Sequence, residues 1–206
     1  MDWSEVLDPE LSPRELLCER LPELHQQRID QYRRLVEAPM IFSFLFPDSG
    51  EQYTLRVTTQ KVEAVEGDMI DFPQATARGS RDQWKRCVEL VRRLAEPADD
   101  QIDRVDGRIK ITQNVVDGFE QFDGVLRVII TDLPDDAESL EFEVVLNDYT
   151  EPDWAETATV TVQWQVLEDV AHGRLDPVEA ARKAKVGGKV GLAIDLGGYF
   201  ATEFDL

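Results

Sequence analysis

Ala158-Thr159-Val160-Thr161-Val162, then Leu167-Glu168-Asp169-Val170, then Gly173-Arg174-Leu175-Asp176-Pro177, is the stretch on which the fold turns. Apolar residues alternate with threonine through Val162, which is the period of a half-buried strand, here spanning Thr157 to Trp164. Helix-forming residues fill Val166 to about Lys185, with a break near Gly173 to Pro177. Gly173 supplies a left-handed helix stop. Asp176 caps the next helix, and Pro177 suits its first turn. Strand, helix, corner and helix therefore follow in order.

Outward from this stretch, Val125 to Thr131 and Leu140 to Leu146 read as strands on either side of a turn at Pro134 to Glu138. Downstream, Lys189 to Leu196 alternates and predicts a last strand. The first half follows a similar plan. Ser12, Pro13 and Glu15 fit a capped helix start. Pro22 interrupts the pattern, and a second helix is expected from Glu23 to Val36. Met40 to Phe46 and Tyr53 to Thr59 form a hairpin. Lys61 to Glu66 and Ala75 to Arg78 add short strands. Arg81 to Ala95 is a strong helical pattern, with Trp84, Cys87, Val88, Leu90, Val91 and Leu94 on one face. A strand from Arg108 to Thr112 completes the half. Equivalent positions recur at offsets of 85 (Ile41 to Leu126, Leu55 to Leu140), 83 (Ala75 to Ala158) and 81 (Gly107 to Gly188). Such a repeat predicts duplication of one unit, with the copies related by a pseudo-twofold.

The quoted stretch, with Ala180 in the following helix, resembles the sterol carrier protein type 2-like domain family. The first half resembles it through Ala75-Thr76-Ala77-Arg78-Gly79-Ser80 and Asp106-Gly107-Arg108-Ile109-Lys110-Ile111. The Gly-Arg-Leu-Asp-Pro corner is missing there. The resemblance implies an α/β (α+β) fold: twisted mixed β-sheets with helices packed on one face, in two pseudo-repeated sterol-carrier-like units. The expected division is an N-terminal helical segment over 1–39, a first module over 40–124 and a second over 125–206. It also implies an apolar tunnel between helices and sheet that takes acyl chains, sterols or related lipids. Other members serve as accessory or dimerisation domains.

Composition narrows the partners. The chain has 206 residues, 42% of them apolar, and a formal net charge of -20. An acidic surface repels phosphates and anionic headgroups, so nucleic acid is not an expected partner. No apolar run reaches the roughly 20 residues that span a bilayer, so no stable membrane insertion is expected. The opening MDWSEVLDPE lacks a basic region followed by an apolar stretch. Cys18 and Cys87 read as reduced, buried thiols in a cytoplasmic protein.

Catalytic signatures are absent from the sequence. His25 and His172 have no second histidine at metal-ligand spacing and read as surface or helix-end residues. No phosphate loop, nucleophile elbow or dinucleotide fingerprint occurs. The acidic pairs Asp99-Asp100 and Asp135-Asp136 read as solvated loops. No catalytic residue, metal or cofactor is therefore expected, and the chain is read as a non-enzyme. Besides an enzyme whose site the sequence does not reveal, two readings remain. One is binding of a lipid or other apolar small molecule between the sheet and the helix over 81–95, against Phe42, Phe44, Leu55, Trp84, Val88 and Val91. The other is a protein-interaction or scaffold module whose core is filled. The basic face of that helix (Lys85, Arg86, Arg92, Arg93) pairs with the molecule's own carboxylates, or docks an acidic partner or an anionic headgroup.

Overall fold

The structure is a computed structural model that describes residues 7–27, 36–69, 71–95, 111–134, 139–147 and 157–203. Its frame is an eight-stranded mixed sheet. The strands are β1 (Met40–Phe46), β2 (Glu51–Val57), β3 (Val62–Glu66), β4 (Ala75–Arg78), β5 (Gly124–Thr131), β6 (Ser139–Leu146), β7 (Ala158–Gln163) and β8 (Lys185–Gly188). Among the described residues six α-helices accompany them: α1 (Leu21–Gln27), α2 (Trp84–Ala95), α3 (Gln113–Phe119), α4 (Trp164–Ala171), α5 (Pro177–Lys183) and α6 (Val190–Glu203). The spatial order is β3-β2-β1-β4-β6-β5-β7-β8.

The two faces of this sheet differ in chemistry because side chains alternate along each strand. Phe42, Phe44 and Phe46 share a face with Leu55, Ala77, Phe142, Val144, Leu126, Val128 and Val160, as the strand registers dictate. The helices pack on this face and build three clusters. Leu16, Leu17 and Leu24 meet Tyr53, Leu55, Trp84 and Val88. Val115, Val116, Phe119, Leu192 and Leu196 meet Met40, Leu146 and Ala158. Leu90 and Trp164 meet Ile130, Leu133 and Leu140. The opposite face carries polar rows, including Ser43 and Thr54, which are buried against each other at 3.3 Å. The expected α/β architecture with helices on one face is therefore observed, in one continuous sheet.

The strand order does not bear the expected duplication out. In the order β2-β1-β4 the first pair is antiparallel and the second parallel. The order β6-β5-β7 repeats that pattern. The two sets join through antiparallel pairing of β4 with β6. The second set is thus the first displaced along the sheet. It is not rotated about a pseudo-twofold, and that expectation is overturned. The hairpin turns also differ in length: Phe46 pairs with Glu51, but Thr131 pairs with Ser139. The offset of Leu55 to Leu140 is therefore not structural. Leu55 lies opposite Phe42, and the residue opposite Leu126 is Val144.

Several local expectations also change. Ser12 and Glu15 do form the reciprocal cap: the Ser12 amide donates to Glu15 at 2.8 Å, and the Glu15 amide to Ser12 Oγ at 3.2 Å. Pro22 does not break the helix. A π-helical turn over Glu15–Arg20, with the Leu21 amide donating to the Leu16 carbonyl, widens the backbone just before it. Val36 is not helical and bridges to Ile111. Residues 28–35 and most of the strand expected over Arg108–Thr112 lie outside the described residues, as does the turn at 135–138. Helix α3 was not anticipated. Thr112 caps it by accepting from the Val115 amide at 3.2 Å.

The last expected strand, Lys189–Leu196, is instead the start of α6. Alternation at Val190, Leu192, Ile194 and Leu196 also contains two i, i+4 pairs. Leu192 and Leu196 face the core, while Val190 and Ile194 face solvent. The strand that pairs with β7 ends earlier, at Gly188. That residue has φ +63, and an added Cβ would sit 2.0 Å from the Thr157 carbonyl oxygen. Only glycine fits there.

Candidate functional site

The site arises where β4 is too short for its neighbour. Ala75–Arg78 of β4 pair with Leu146–Glu143 of β6, and β6 then runs on to Ser139. Past Arg78 the chain leaves the sheet. The Gly79 amide donates to the Leu45 carbonyl at 3.1 Å. Ser80 accepts from the Asp82 amide, and a 3-10 turn over Arg81–Gln83 precedes α2. Asp48, from the β1–β2 turn, accepts from the Arg81 amide at 2.9 Å and from Ser80 Oγ at 2.8 Å. Those bonds, the Arg81 amide first, hold its carboxyl below the ordinary range.

The detour leaves a pit of about 170 Å³ between the N-terminal half of α2 and the sheet. Phe44, Phe46, Ala77, Trp84, Cys87, Leu140 and Phe142 line it. Trp84 is fixed on two sides. Its indole Nε1 donates to the Leu11 carbonyl at 3.0 Å, and its ring stands edge-on to Phe46 with centroids 5.7 Å apart. Burial pushes the Cys87 thiol up, so this side chain serves as apolar lining and not as a thiolate nucleophile.

Beside the pit lies a wider, open cleft of about 470 Å³ on the polar side of the sheet, lined among others by Leu45, Asp48, Arg78, Glu141 and Glu143. Pit and cleft share Arg78, Gly79, Ser80, Glu141 and Phe142 as walls. Together they form an apolar recess with a charged mouth. The mouth's charges are partly spoken for: Glu141 pairs with Arg127, and Arg78 stands opposite Glu143 across the strands.

Of the residues expected at the site, Phe44 and Trp84 line the pit. Leu55 and Val88 are packed into the first cluster, 5% and 4% exposed, and do not reach it. Phe42 packs against the second cluster. Val91 is 46% exposed and points away from the sheet. Sequence reasoning missed Ala77, Cys87, Leu140 and Phe142. Cys87 lay on the helical face already identified, and Phe142 on the inward side of its strand. Their convergence depends on the β4–β6 pairing, for which no local pattern exists.

Both cysteines are free and half-buried. His25 is 3% exposed at the end of α1, so the surface reading is corrected for it. Burial lowers its pKa, partly offset by a bond to the Thr58 main chain. His172 caps the C-terminus of α4 beside Arg174. Among the described residues there is no group of three His, Cys, Asp or Glu side chains able to hold a metal ion. Nor, among them, is any helix long and apolar enough to cross a membrane. On the basic face of α2, Lys85 pairs with Glu10 and Arg93 with Glu89.

The fold and site together define an α+β protein with one helix-covered sheet face and a recess at its centre. No protein-family model matches the chain, and no curated protein matches it. Among solved structures, it is similar to the solution structure of the sterol carrier protein domain 2 of Helicoverpa armigera. The identity is 17%, over 59% of this chain and 90% of that one, with a TM-score of 0.31. At that level the likeness transfers no site, and function rests on the recess itself.

Proposed function

We propose that the recess binds the apolar end of an amphipathic small molecule, without catalysis, and holds its polar end in the mouth. The observation that carries this reading is the pit between α2 and the sheet, about 170 Å³ and lined by aromatic and aliphatic side chains. An apolar cavity of roughly 150 Å³ suffices to take up benzene, whereas drug-sized ligands need about 300 Å³ or more. The pit therefore suits a ring or a short run of chain, not an entire sterol. As a benzene-sized cavity it admits a run of about six carbons. At about 0.8 kcal/mol each, these supply about 5 kcal/mol before ordering costs. That corresponds to a dissociation constant of roughly 0.1–1 mM. Tighter binding requires contacts in the mouth. In this reading the two sheet sets, within 40–124 and 125–206, are side-by-side units, and the site lies where they meet, with β1, β4 and α2 from the first and β6 from the second.

A filled-core scaffold is the second reading, favoured by the packing of Leu55 and Val88, which were expected to line a tunnel. One variant separates the two. Ala77 sits on the pit wall opposite α2, so Ala77→Leu fills the recess from the sheet side. Under the binding reading, a fluorescent medium-chain alcohol binds the wild type, and Ala77→Leu weakens it at least tenfold while changing the melting temperature little. A wild type that binds neither alcohol nor fatty acid at millimolar concentration, with Ala77→Leu strongly destabilised, establishes the filled core instead.

A further inference from the structure

The opposite end of the molecule from β3 carries an unused surface. β8 is the last strand of the described sheet, and no described residue pairs with its outer edge. Its register fixes what that edge offers. Val186 lies opposite Val160 and Gly188 opposite Ala158, and the Lys189 amide donates to the Thr157 carbonyl at 3.2 Å. In an antiparallel pair the hydrogen-bonded positions alternate. Lys185 and Gly187 therefore aim their main chain at β7, as does the Lys189 amide, while the Lys189 carbonyl accepts from the Leu192 amide at 3.1 Å. Val186 aims its N–H and C=O outward, where no described residue receives them, and Gly188, with φ +63, ends the extended run.

The side chains around this edge have a definite chemistry. From Arg182 to Lys189 there are four cations and no carboxylate, in a chain whose net charge is -20. Lys185 and Lys189 are exposed and form no ion pair among the described residues. On the helical side of the edge, Val186 (39% exposed), Val190 (40%) and Ile194 (62%) form an apolar strip across β8 and α6. Gly187 has nothing within 4 Å of an added Cβ, so a neighbouring side chain has room to lie over it. A strand laid here meets an apolar strip on one face and lysine on the other. The complementary segment alternates apolar and acidic residues.

We propose that the β8 edge binds an extended acidic segment of a partner protein as a ninth strand. Charge selects that occupant. A second copy of this chain or an anionic membrane confronts the whole molecule's negative charge. A short segment meets only the basic patch, because screening confines the interaction to about 8–10 Å. The inference is independent of the recess between α2 and the sheet.

The test uses the full chain and a fluorescent eight-residue peptide alternating valine and glutamate, read by anisotropy. The expected result is saturable binding that weakens with added salt. Lys185→Glu/Lys189→Glu weakens it at least tenfold without altering the melting profile. N-methylation of alternate peptide amides, which blocks strand pairing but leaves the charge, also weakens it at least tenfold. Equal binding of the N-methylated peptide, or of a valine–lysine peptide, overturns the proposal. So does the absence of binding at millimolar peptide, in which case the lysines only guard an edge. Self-association by sedimentation that Lys185→Glu abolishes assigns the edge to a second copy. Binding to phosphatidylserine vesicles that the same variant abolishes assigns it to a membrane surface. Either result overturns the proposal.

Discussion

The two β-to-helix junctions, β4 to α2 and β7 to α4, begin alike and end differently. Each third strand lies parallel to the first strand of its set, and each following helix starts with tryptophan: Trp84 in α2 and Trp164 in α4. At the second junction β7 runs directly into α4, with Gln163 as the capping residue. Trp164 closes onto Leu90, Ile130, Leu133 and Leu140. At the first junction Gly79, Ser80 and a 3-10 turn intervene, and Ala77 stands at the register position that Val160 takes in the second set. A longer connection and a smaller side chain leave the pit. The same strand order can thus give a solid junction or a hollow one, decided by a few residues.

The tryptophans give the largest test of this contrast. Trp164→Ala is expected to cost close to 5 kcal/mol and Trp84→Ala closer to 3, within the range of about 3–5 kcal/mol for such truncations. The difference arises because one side of Trp84 faces the pit and not packed atoms. Urea unfolding of both variants measures it, and equal costs would break the comparison.

Exchanging the floor residues sharpens it. Val160→Ala removes two methyl groups from a half-buried position in the second set and is expected to cost about 1 kcal/mol, below the roughly 1.5 kcal/mol of two fully buried groups. Ala77→Val adds them where space exists and is expected to change stability by less than about 0.5 kcal/mol. Overpacking by Ala77→Val, at about 1–3 kcal/mol, contradicts an open pit.

Helix caps test a smaller difference. Asp176 accepts from the Val178 amide at 2.8 Å and caps α5 from within its own segment. Asp176→Ala should cost about 1 kcal/mol, read as a lower melting temperature.

The smallest effect is a pH dependence carried by the first half. His25 has a folded pKa below its ordinary 6.5, chiefly through burial. The unfolded chain then binds the proton first as pH falls below about 6.5, so folding stability declines on acidification. Melting temperatures at pH 8 and pH 5 should show that decline, and His25→Gln should reduce it. An unchanged slope in the variant would remove His25 from the account. Asp48 acts in a lower window. Its depressed pKa contributes stability above about 3.8, which is lost as pH falls further.

Much of the sheet was legible because its signals are local. Strands β1, β2, β5, β6 and β7 follow period-two alternation, and the Gly173 to Pro177 corner reads directly as stop, cap and first turn. Residues whose pattern fits two periods were misread. Val190 to Leu196 alternates, yet burial of Leu192 and Leu196 makes it a helix. Phe44 and Trp84, both expected to line a cavity, line the pit because each lies on the apolar face of its own element. Val91 stands 46% exposed because the apolar face of α2 is broader than the part that meets the sheet. The convergence of Ala77 and Phe142 was not legible because only the pairing of β4 with β6, whose partners lie 65 or more residues apart in the chain, brings them together.

The central claim is that the first junction holds an occupiable apolar recess and the second does not. The most direct measurement is a crystal structure of the protein soaked with a medium-chain alcohol brominated at its apolar end. The bromine is expected between Phe44, Trp84 and Phe142, with the hydroxyl toward Arg78 and Glu143. Bromine at the Trp164 junction, or none beneath α2 at saturating ligand, would contradict it.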